Sequence, residues 1–412
     1  MRPRRPHPPL PARPGHRARG GAARFPVCRA VRVEHAVRCF ATAAAGSEAV
    51  AAEEVAGLGL SSIERVPGGV AFAAETSELY RALLWLRSVN RLLVEMGRFN
   101  AFTHDRLYAG VKRIAWEEWL DPDATLAVDV QLTGDNRWVQ HSGFTVLRVK
   151  DAICDRLREA TGRRPSIDKR HPAVRVHARV HANRAAVYLD ASGEPLFKRG
   201  WRVADHPAPL RETLAAAILW LTGWRGERPL FDPLCGSGTL LIEAALIGAR
   251  IAPGLASGRS FACQRWRTFD SGAWEQAVAA ARGEIDLNRC PAIAGSDHDP
   301  AAVAATRANA KAAGVGEVVQ VAVAEIGAAT PPPGPATLIT NPPYGERIGE
   351  KEGLAALYAD LGHLLKAHCV GWDAFVLSGD RDLTRHLHLS ANRRFPLRNG
   401  PIDCRLLHYE VR

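Results

Sequence analysis

Asn341-Pro342-Pro343-Tyr344 stands directly after the apolar run 336–340 and is the sharpest chemical signal in the chain. The chemistry it suits is reaction at an exocyclic amine of a nucleic-acid base. Such an amine is a weak nucleophile, because its lone pair is delocalised into the ring. The side-chain oxygen of Asn341 and the carbonyl of Pro342 can accept its two hydrogens and turn the lone pair toward an electrophile. Two prolines restrict the backbone so that both acceptors converge. Tyr344 offers a ring for an extruded base, and stacking of roughly 1–3 kcal/mol offsets part of the cost of unstacking it. A plain proline turn would account for Pro342 and Pro343, but not for Asn341 and Tyr344 at a strand end.

Two further segments suit the electrophile. Asp232-Pro233-Leu234-Cys235-Gly236-Ser237-Gly238-Thr239 lies between a short apolar run and a long one. Glycines at such a strand-to-helix turn let the backbone approach a ligand at the carboxyl edge of a sheet. The dinucleotide fingerprint is not met, because Leu241 occupies its third glycine place. Asp232 ahead of the turn suits a carboxylate meeting an ammonium, such as that of a methionine moiety; a plain tight turn is the alternative. At the end of the next apolar run, Asp297 is placed to accept from ribose hydroxyls. Asp299 with Pro300 reads as the cap and first residue of a helix. Glu325 can receive an adenine amino group or be a surface acid. Methionine, ribose and adenine together make S-adenosylmethionine, whose methyl group is the electrophile the amine needs. Pro233, Cys235, Gly236 and Gly238 complete the candidate cofactor turn.

These segments need strand ends to hold them, and the pattern from about residue 208 supplies strands alternating with helices. Helices are expected at 208–224, 238–251, 300–313 and 353–368. Strands are expected at 229–233, 292–297, 318–323, 336–343, 373–379 and 404–411. Such alternation indicates a doubly wound, mostly parallel α/β sheet. Residues 252–290, with Trp266, Phe269 and Trp274, read as an insertion between the first helix after the Gly-rich turn and the next strand. Upstream, helices are expected at 46–57, 77–87 (capped by Ser77) and 144–160, with strands at 68–73, 125–132 and 174–181. In the last strand Val174, Val176, Ala178 and Val180 share one face, and Arg175, His177, Arg179 and His181 the other. That polar face reads as solvated or as an RNA-facing stripe.

The net charge of +11 is unevenly placed: residues 1–38 hold ten arginines and a single acid, Glu34. The basic balance therefore reports the first residues and says little about the folded body. Residues 1–36, rich in Arg, Pro and Gly, are expected to be a disordered basic tail; an arm for nucleic acid, a transit peptide and a start codon set too early are the open readings. Eight scattered cysteines without a C-x-x-C pair point to a reducing compartment, no disulfide framework and no metal site. Apolar stretches break before the roughly 20 residues of a membrane span, so a cytoplasmic location without membrane attachment is expected.

DPLCGSGT, GSDHDP and NPPYGER in this order, with KRGWR (198–202), APLRET (208–213) and GRRPSIDKRHP (162–172) upstream, closely resemble the THUMP-containing guanine-N2 methyltransferases of bacterial large-subunit rRNA. The resemblance runs from about residue 37 to the C-terminus. It implies a ferredoxin-like segment at 37–77, a THUMP RNA-binding domain at 78–190 and a Rossmann-like class I methyltransferase domain at 200–412. It carries cofactor roles to Asp232, Gly236, Asp297 and Glu325, and base-holding roles to Asn341 through Tyr344. Glu325 stands where the family more often has Asp. The second methyltransferase half of bifunctional members has no counterpart here. The partner so implied is large-subunit rRNA, met before or during ribosome assembly; a THUMP-type tRNA guanine-N2 methyltransferase, an adenine-N6 DNA methyltransferase and a non-catalytic RNA-binding factor on the same scaffold are the rival readings.

Overall fold

The computed structural model describes residues 32–33, 36–139, 141–204, 210–255, 259–344 and 351–412. The basic tail before residue 32, residues 208–209 of APLRET, and Glu346 with Arg347 lie outside the described residues. In chain order the N-terminal part comprises β1 (Arg32–Val33), β2 (Ala36–Ala43), α1 (Glu48–Gly57), β3 (Ser61–Val66), β4 (Gly69–Ala74), α2 (Thr76–Trp85), β5 (Val89–Asn100), α3 (His104–Lys112), β6 (Leu126–Thr133), α4 (Ser142–Thr161), β7 (Val174–His181) and β8 (Arg184–Asp190). One sheet runs through all of it in the order β3-β4-β2-β5-β8-β7-β6, with β1 beside β2. Among the described strands of this sheet, β6 and β7 pair in parallel and the others antiparallel. The alternation of β7 is realised: its four apolar residues are buried against α4 and β6 neighbours, and its polar residues lie on the other face.

The C-terminal part comprises α5 (Glu212–Leu221), β9 (Leu230–Asp232), α6 (Thr239–Gly248), α7 (Ser271–Gly283), β10 (Ile293–Asp297), α8 (Pro300–Ala312), β11 (Val319–Val323), β12 (Thr337–Thr340), α9 (Lys351–His368), β13 (Asp373–Ser378), β14 (Arg393–Asn399) and β15 (Ile402–Glu410). Its sheet has the order β11-β10-β9-β12-β13-β15-β14, parallel from β11 to β13 and antiparallel beyond. This is the doubly wound Rossmann-like arrangement expected. Two helix starts differ from expectation in ways the hydrogen bonds and bounds make plain. Helix α2 is not capped by Ser77: the Glu78 carboxylate accepts the Glu75 backbone N–H at 2.8 Å, so the helix opens earlier. Helix α5 starts at Glu212, four residues after the expected start.

The 252–290 segment docks one part of the chain onto the other. Trp266 meets Trp119 edge-on at 5.6 Å, and Trp274 meets Tyr80 at 5.5 Å. The Asp270 N–H donates to the Tyr80 hydroxyl at 3.0 Å. A buried charged network also joins the two parts. The Glu54 carboxylate accepts the backbone N–H groups of Arg87 and Ser88 at 3.1 and 2.9 Å. The Arg87 guanidinium donates to the Ile251 and Leu246 carbonyls at 2.7 and 3.3 Å, at the end of α6. Arg199 donates to the Arg87 carbonyl at 2.6 Å and to Glu243, in the middle of α6, at 3.2 Å. Burial pushes the Arg87 guanidinium down to about 10, and Glu243 opposes that shift.

Removing one partner of a buried ion pair leaves an uncompensated charge, which costs about 3–5 kcal/mol. Arg199→Ala, which strands Glu243 at 0% exposure, is expected to lower unfolding free energy by about that much in urea titrations followed by tryptophan fluorescence. A loss below about 1 kcal/mol would show that water or a neighbour replaces the guanidinium.

Candidate active site

Chain order in the C-terminal sheet reverses at β9. From β9 the chain runs outward through β10 to β11, then crosses back to place β12 on the other side of β9. The loops after β9 and β12 therefore diverge and leave a crevice at the carboxyl edge, where ligands bind in open α/β sheets. Asp232 ends β9, Asp297 ends β10, and Asn341 follows β12.

The Gly-rich turn is held by side chains from both neighbouring layers. Gly236 has φ +53° and Gly238 has φ +81°. A Cβ on Gly238 would come 2.5 Å from Thr306 Cγ2, whereas one on Gly236 would face open space. The Gly236 N–H donates to Asp297 Oδ2 at 2.9 Å, and the Thr306 hydroxyl donates to the Gly236 carbonyl at 2.8 Å. The amide of Asn309, wholly buried on α8, donates to the Ser237 and Ala204 carbonyls at 3.2 and 2.9 Å. Its oxygen accepts the N–H groups of Val203 and Ala204. Arg202 donates to the Ser237 and Thr239 hydroxyls, both at 2.9 Å, and to Glu212 at 2.9 Å. Arg202 and Asn309 carry no role in the sequence reading. Arg202 was visible only as part of KRGWR, and Asn309 only as an amide inside a helix, where its propensity is poor.

Two carboxyls meet at the centre. Asp232 is 2% exposed, and burial pushes it up to about 7; the Thr340 hydroxyl and the Leu234 N–H work against the rise, and the charge of Asp297 adds to it. The Leu234 N–H reaches Asp232 Oδ1 at 3.1 Å. Asp297 accepts the N–H groups of Gly236 and Asp299, and His298 lies 3.3 Å from its Oδ1. Asp299 caps α8 by accepting the Ala301 N–H at 2.8 Å, with Pro300 first in the helix, as expected. Glu325 is exposed in the turn after β11, whose neighbour Ala324 donates its N–H to the Asp297 carbonyl. The Cys235 side chain packs in the core near Thr306, which leaves only backbone atoms of Cys235 at the turn, and burial pushes its thiol up. Pro233 joins Asp232 to the turn, and its carbonyl accepts from the Ser296 hydroxyl at 3.4 Å.

Across the crevice, Asn341 Oδ1 is buried and has no hydrogen-bond donor among the described residues. Pro342 is buried and Pro343 exposed. The Tyr344 hydroxyl accepts from Asn399 Nδ2 at 2.8 Å, and Cys404 Sγ lies 3.8 Å from it, so the β14–β15 hairpin anchors the ring. The ring lies over Gly379, where a Cβ would approach Tyr344 Cδ2 to 3.1 Å. Among the described residues no group of His, Cys, Asp and Glu is placed to hold a metal ion.

Comparison with known proteins agrees with this architecture. Residues 199–408 match the RMKL-like methyltransferase domain, residues 101–190 the THUMP domain, and residues 38–93 the RlmL ferredoxin-like domain. A protein of Synechocystis sp. named "putative RNA methyltransferase" is 41% identical over 373 residues, covering 90% of this chain and 96% of its own. The chain belongs to the RMKL-like methyltransferase family. The ribosomal RNA large subunit methyltransferase K/L of Syntrophotalea carbinolica is 40% identical over 91% of this chain and 54% of its own. The chain thus spans about half the length of that K/L relative. The crystal structure of SMU.472, "a putative methyltransferase complexed with SAH", superposes with a TM-score of 0.83 at 30% identity, covering 92% of this chain and 99% of that one. No helix among the described residues is long and apolar enough to cross a membrane.

The two glycines should separate fold from site. Gly238→Ala combines a left-handed φ with a close contact at Thr306 and is expected to lower stability by about 1–3 kcal/mol. Gly236→Ala has the strain without the contact, and its loss should be about 1 kcal/mol. Thermal unfolding of both variants gives the comparison; equal losses would mean that α8 yields to the added methyl.

Proposed function

We propose that this chain transfers the methyl group of S-adenosylmethionine to the exocyclic N2 of a guanine in large-subunit rRNA. The observation that carries the reading is Asn341 Oδ1, a buried acceptor with no donor among the described residues, at the end of the strand beside the one that leads into the Gly-rich turn. Leaving a buried acceptor unmade costs about 1–3 kcal/mol, a cost relieved when a donor arrives.

The residues present fit the cofactor. Asp232 is a buried carboxyl whose proton a nearby cation would displace, which suits the ammonium of a methionine moiety. Gly236 leaves its Cα face open, so a ligand can lie against the backbone there. Asp297 has lone pairs beyond the two N–H groups it accepts, and these can meet ribose hydroxyls. Glu325 would receive the adenine amino group. When bound, the cofactor supplies an electrophilic methyl group. Asn341 Oδ1 and the Pro342 carbonyl hold the two amine hydrogens, so the lone pair faces that methyl. Tyr344 stacks on the extruded base, its ring fixed by Asn399. The amine proton becomes acidic only once the new bond has formed, so no perturbed base is required. The proton can pass to water after transfer.

The K/L relatives named for large-subunit rRNA, together with the THUMP match, support the substrate. Residues 37–77 and 78–190 would supply RNA affinity and residues 200–412 the chemistry. An extruded base is reached most readily before or during ribosome assembly in the cytoplasm. The test is methyl transfer from labelled cofactor to separate naked rRNA, tRNA and DNA pools, followed by nucleoside mass spectrometry. N2-methylguanosine in rRNA is expected. N6-methyladenosine, a 5-methylpyrimidine, or modified tRNA with unmodified rRNA would overturn the assignment.

Two variants and a pH series probe the site's parts. Tyr344→Phe keeps the ring and loses one hydrogen bond, so KM for RNA should rise by about twofold to tenfold, whereas Tyr344→Ala should raise it further. Equal effects would mean that the hydroxyl, not the ring, is what matters. Protonated Asp232 stabilises the free fold at low pH, and this contribution is lost as pH rises from the ordinary carboxyl range to about 7. Cofactor binding that needs the carboxylate must expel that proton. Affinity for S-adenosylhomocysteine should therefore fall by up to about tenfold per pH unit below about 7 and level off above it. Calorimetric titration of the protein and of Asp232→Asn across that range checks this; a wild-type affinity that does not vary there would remove Asp232 from the ammonium site.

A further inference from the structure

Three large apolar side chains, Phe102, Phe144 and Leu147, are 48%, 49% and 50% exposed. Phe102 precedes α3 and Phe144 lies in the first turn of α4. His104 joins them: its ring meets Phe144 edge-on at 4.7 Å and Trp138 at 5.1 Å. Burial and the Arg148 charge hold the His104 imidazole below its ordinary value, so at neutral pH it is an uncharged ring between two others. The Trp138 indole N–H donates to the Ala182 carbonyl at 3.3 Å, which ties this cluster to the β7–β8 hairpin. A surface cavity of about 560 Å³ lies beside it, lined by Phe102, His181, Arg184 and the amides of Asn100 and Asn183.

The charge around these rings is positive. The Arg106 guanidinium sits 5.5 Å over the Phe102 ring. Neither Arg106 nor Arg184 pairs with a carboxylate among the described residues. The nearby acids are already engaged: Asp105 with Arg148 at 2.7 Å and Asp135 with Arg137 at 2.7 Å. Phe102, Arg184 and the amides of Asn100 and Asn183 line this cavity, Arg106 lies over the Phe102 ring, and Phe144 packs on His104 nearby, a set that matches the three parts of a single-stranded nucleotide. The rings can stack on bases, the guanidiniums meet phosphates, and the amides reach base edges.

We propose that this corner, centred on Phe102, Phe144, Arg106 and Arg184, is a stacking site for a single-stranded segment of the RNA substrate. The proposal rests on the RNA-methylating function given above and adds a second anchor to it. β8 runs from Arg184 at this corner to Asp190, where the chain leaves for the methyltransferase domain. Seven residues of strand span about 20 Å, so the anchor holds RNA well away from the linker and limits which base can reach Asn341.

The experiment uses the full chain and a labelled single-stranded RNA oligomer about ten nucleotides long, with a duplex of the same length as the second probe. Phe102→Ala and Phe144→Ala combined should weaken single-strand binding by about tenfold or more, with the duplex little affected. Arg106→Ala and Arg184→Ala combined should weaken binding and flatten its dependence on salt. Affinity for S-adenosylhomocysteine should be unchanged in both, since these side chains lie outside the cofactor crevice. Unchanged RNA affinity in the aromatic variant would overturn the site. So would an equal loss for duplex, or a change in self-association by sedimentation with RNA affinity intact, which would make the corner a protein contact. A chain that binds RNA through this corner yet transfers no methyl group would refute the function and leave the site. Methyl transfer to rRNA with undiminished affinity in the variants would do the reverse.

Discussion

The reversal of strand order at β9 is the constraint on which the rest of the site depends. A parallel sheet whose chain moves outward on one side of a strand and returns on the other must leave a gap above that strand. Here the gap brings three polar strand ends together: Asp232 from β9, Asp297 from β10 and Asn341 after β12. None is near the others in sequence. Once they are adjacent, the Gly-rich turn has one way to run, because Asp297 holds its Gly236 N–H, Thr306 holds the carbonyl of the same residue, and Asn309 holds Ser237. Left-handed φ at Gly236 and Gly238 is the price of that path.

Helix α6 extends this constraint to the N-terminal domain. It starts at the Gly-rich turn, and its far end receives Arg87 on the Leu246 and Ile251 carbonyls. Arg199 joins its middle to the Arg87 backbone. The N-terminal part thus grips the helix that begins at the Gly-rich turn. Buried guanidiniums are poor sources of net stability, and what this network supplies is a set of directional contacts between the two parts of the chain. The Trp266–Trp119 and Trp274–Tyr80 contacts add apolar burial around it.

Much of this was legible in the residues. The alternation of 174–181 gave a strand with the right face buried, and Asp299-Pro300 gave a helix start. The polar side of that strand is mostly paired: Arg175 with Asp129 at 2.8 Å and His177 with Asp190 at 3.2 Å, which favours an occupied surface over a free basic stripe. Strand β14 went unread because its sequence, RRFPLRN, contains a proline and three arginines, which an edge strand tolerates. Strand β5 hid behind a bulge near Met96 and three charged residues in its run, Arg91, Arg98 and the buried Glu95. The partners of Tyr344, Asn399 and Cys404, lie 55 and 60 residues downstream, and nothing in local spacing announces a hydrogen bond across that distance. The Trp-rich insertion was visible as an interruption, but its role as the seam between domains depends on Trp119 and Tyr80, far away in sequence.

In the proposed reaction Asn341 acts on the amine and not on the cofactor. The most direct test is the single-turnover methylation rate of Asn341→Ala on rRNA at saturating cofactor. A fall of about a hundredfold or more is expected, the scale seen when a transition-state contact is removed. A rate within about threefold of the parent protein would contradict it, because the buried acceptor would then be serving the fold rather than the reaction.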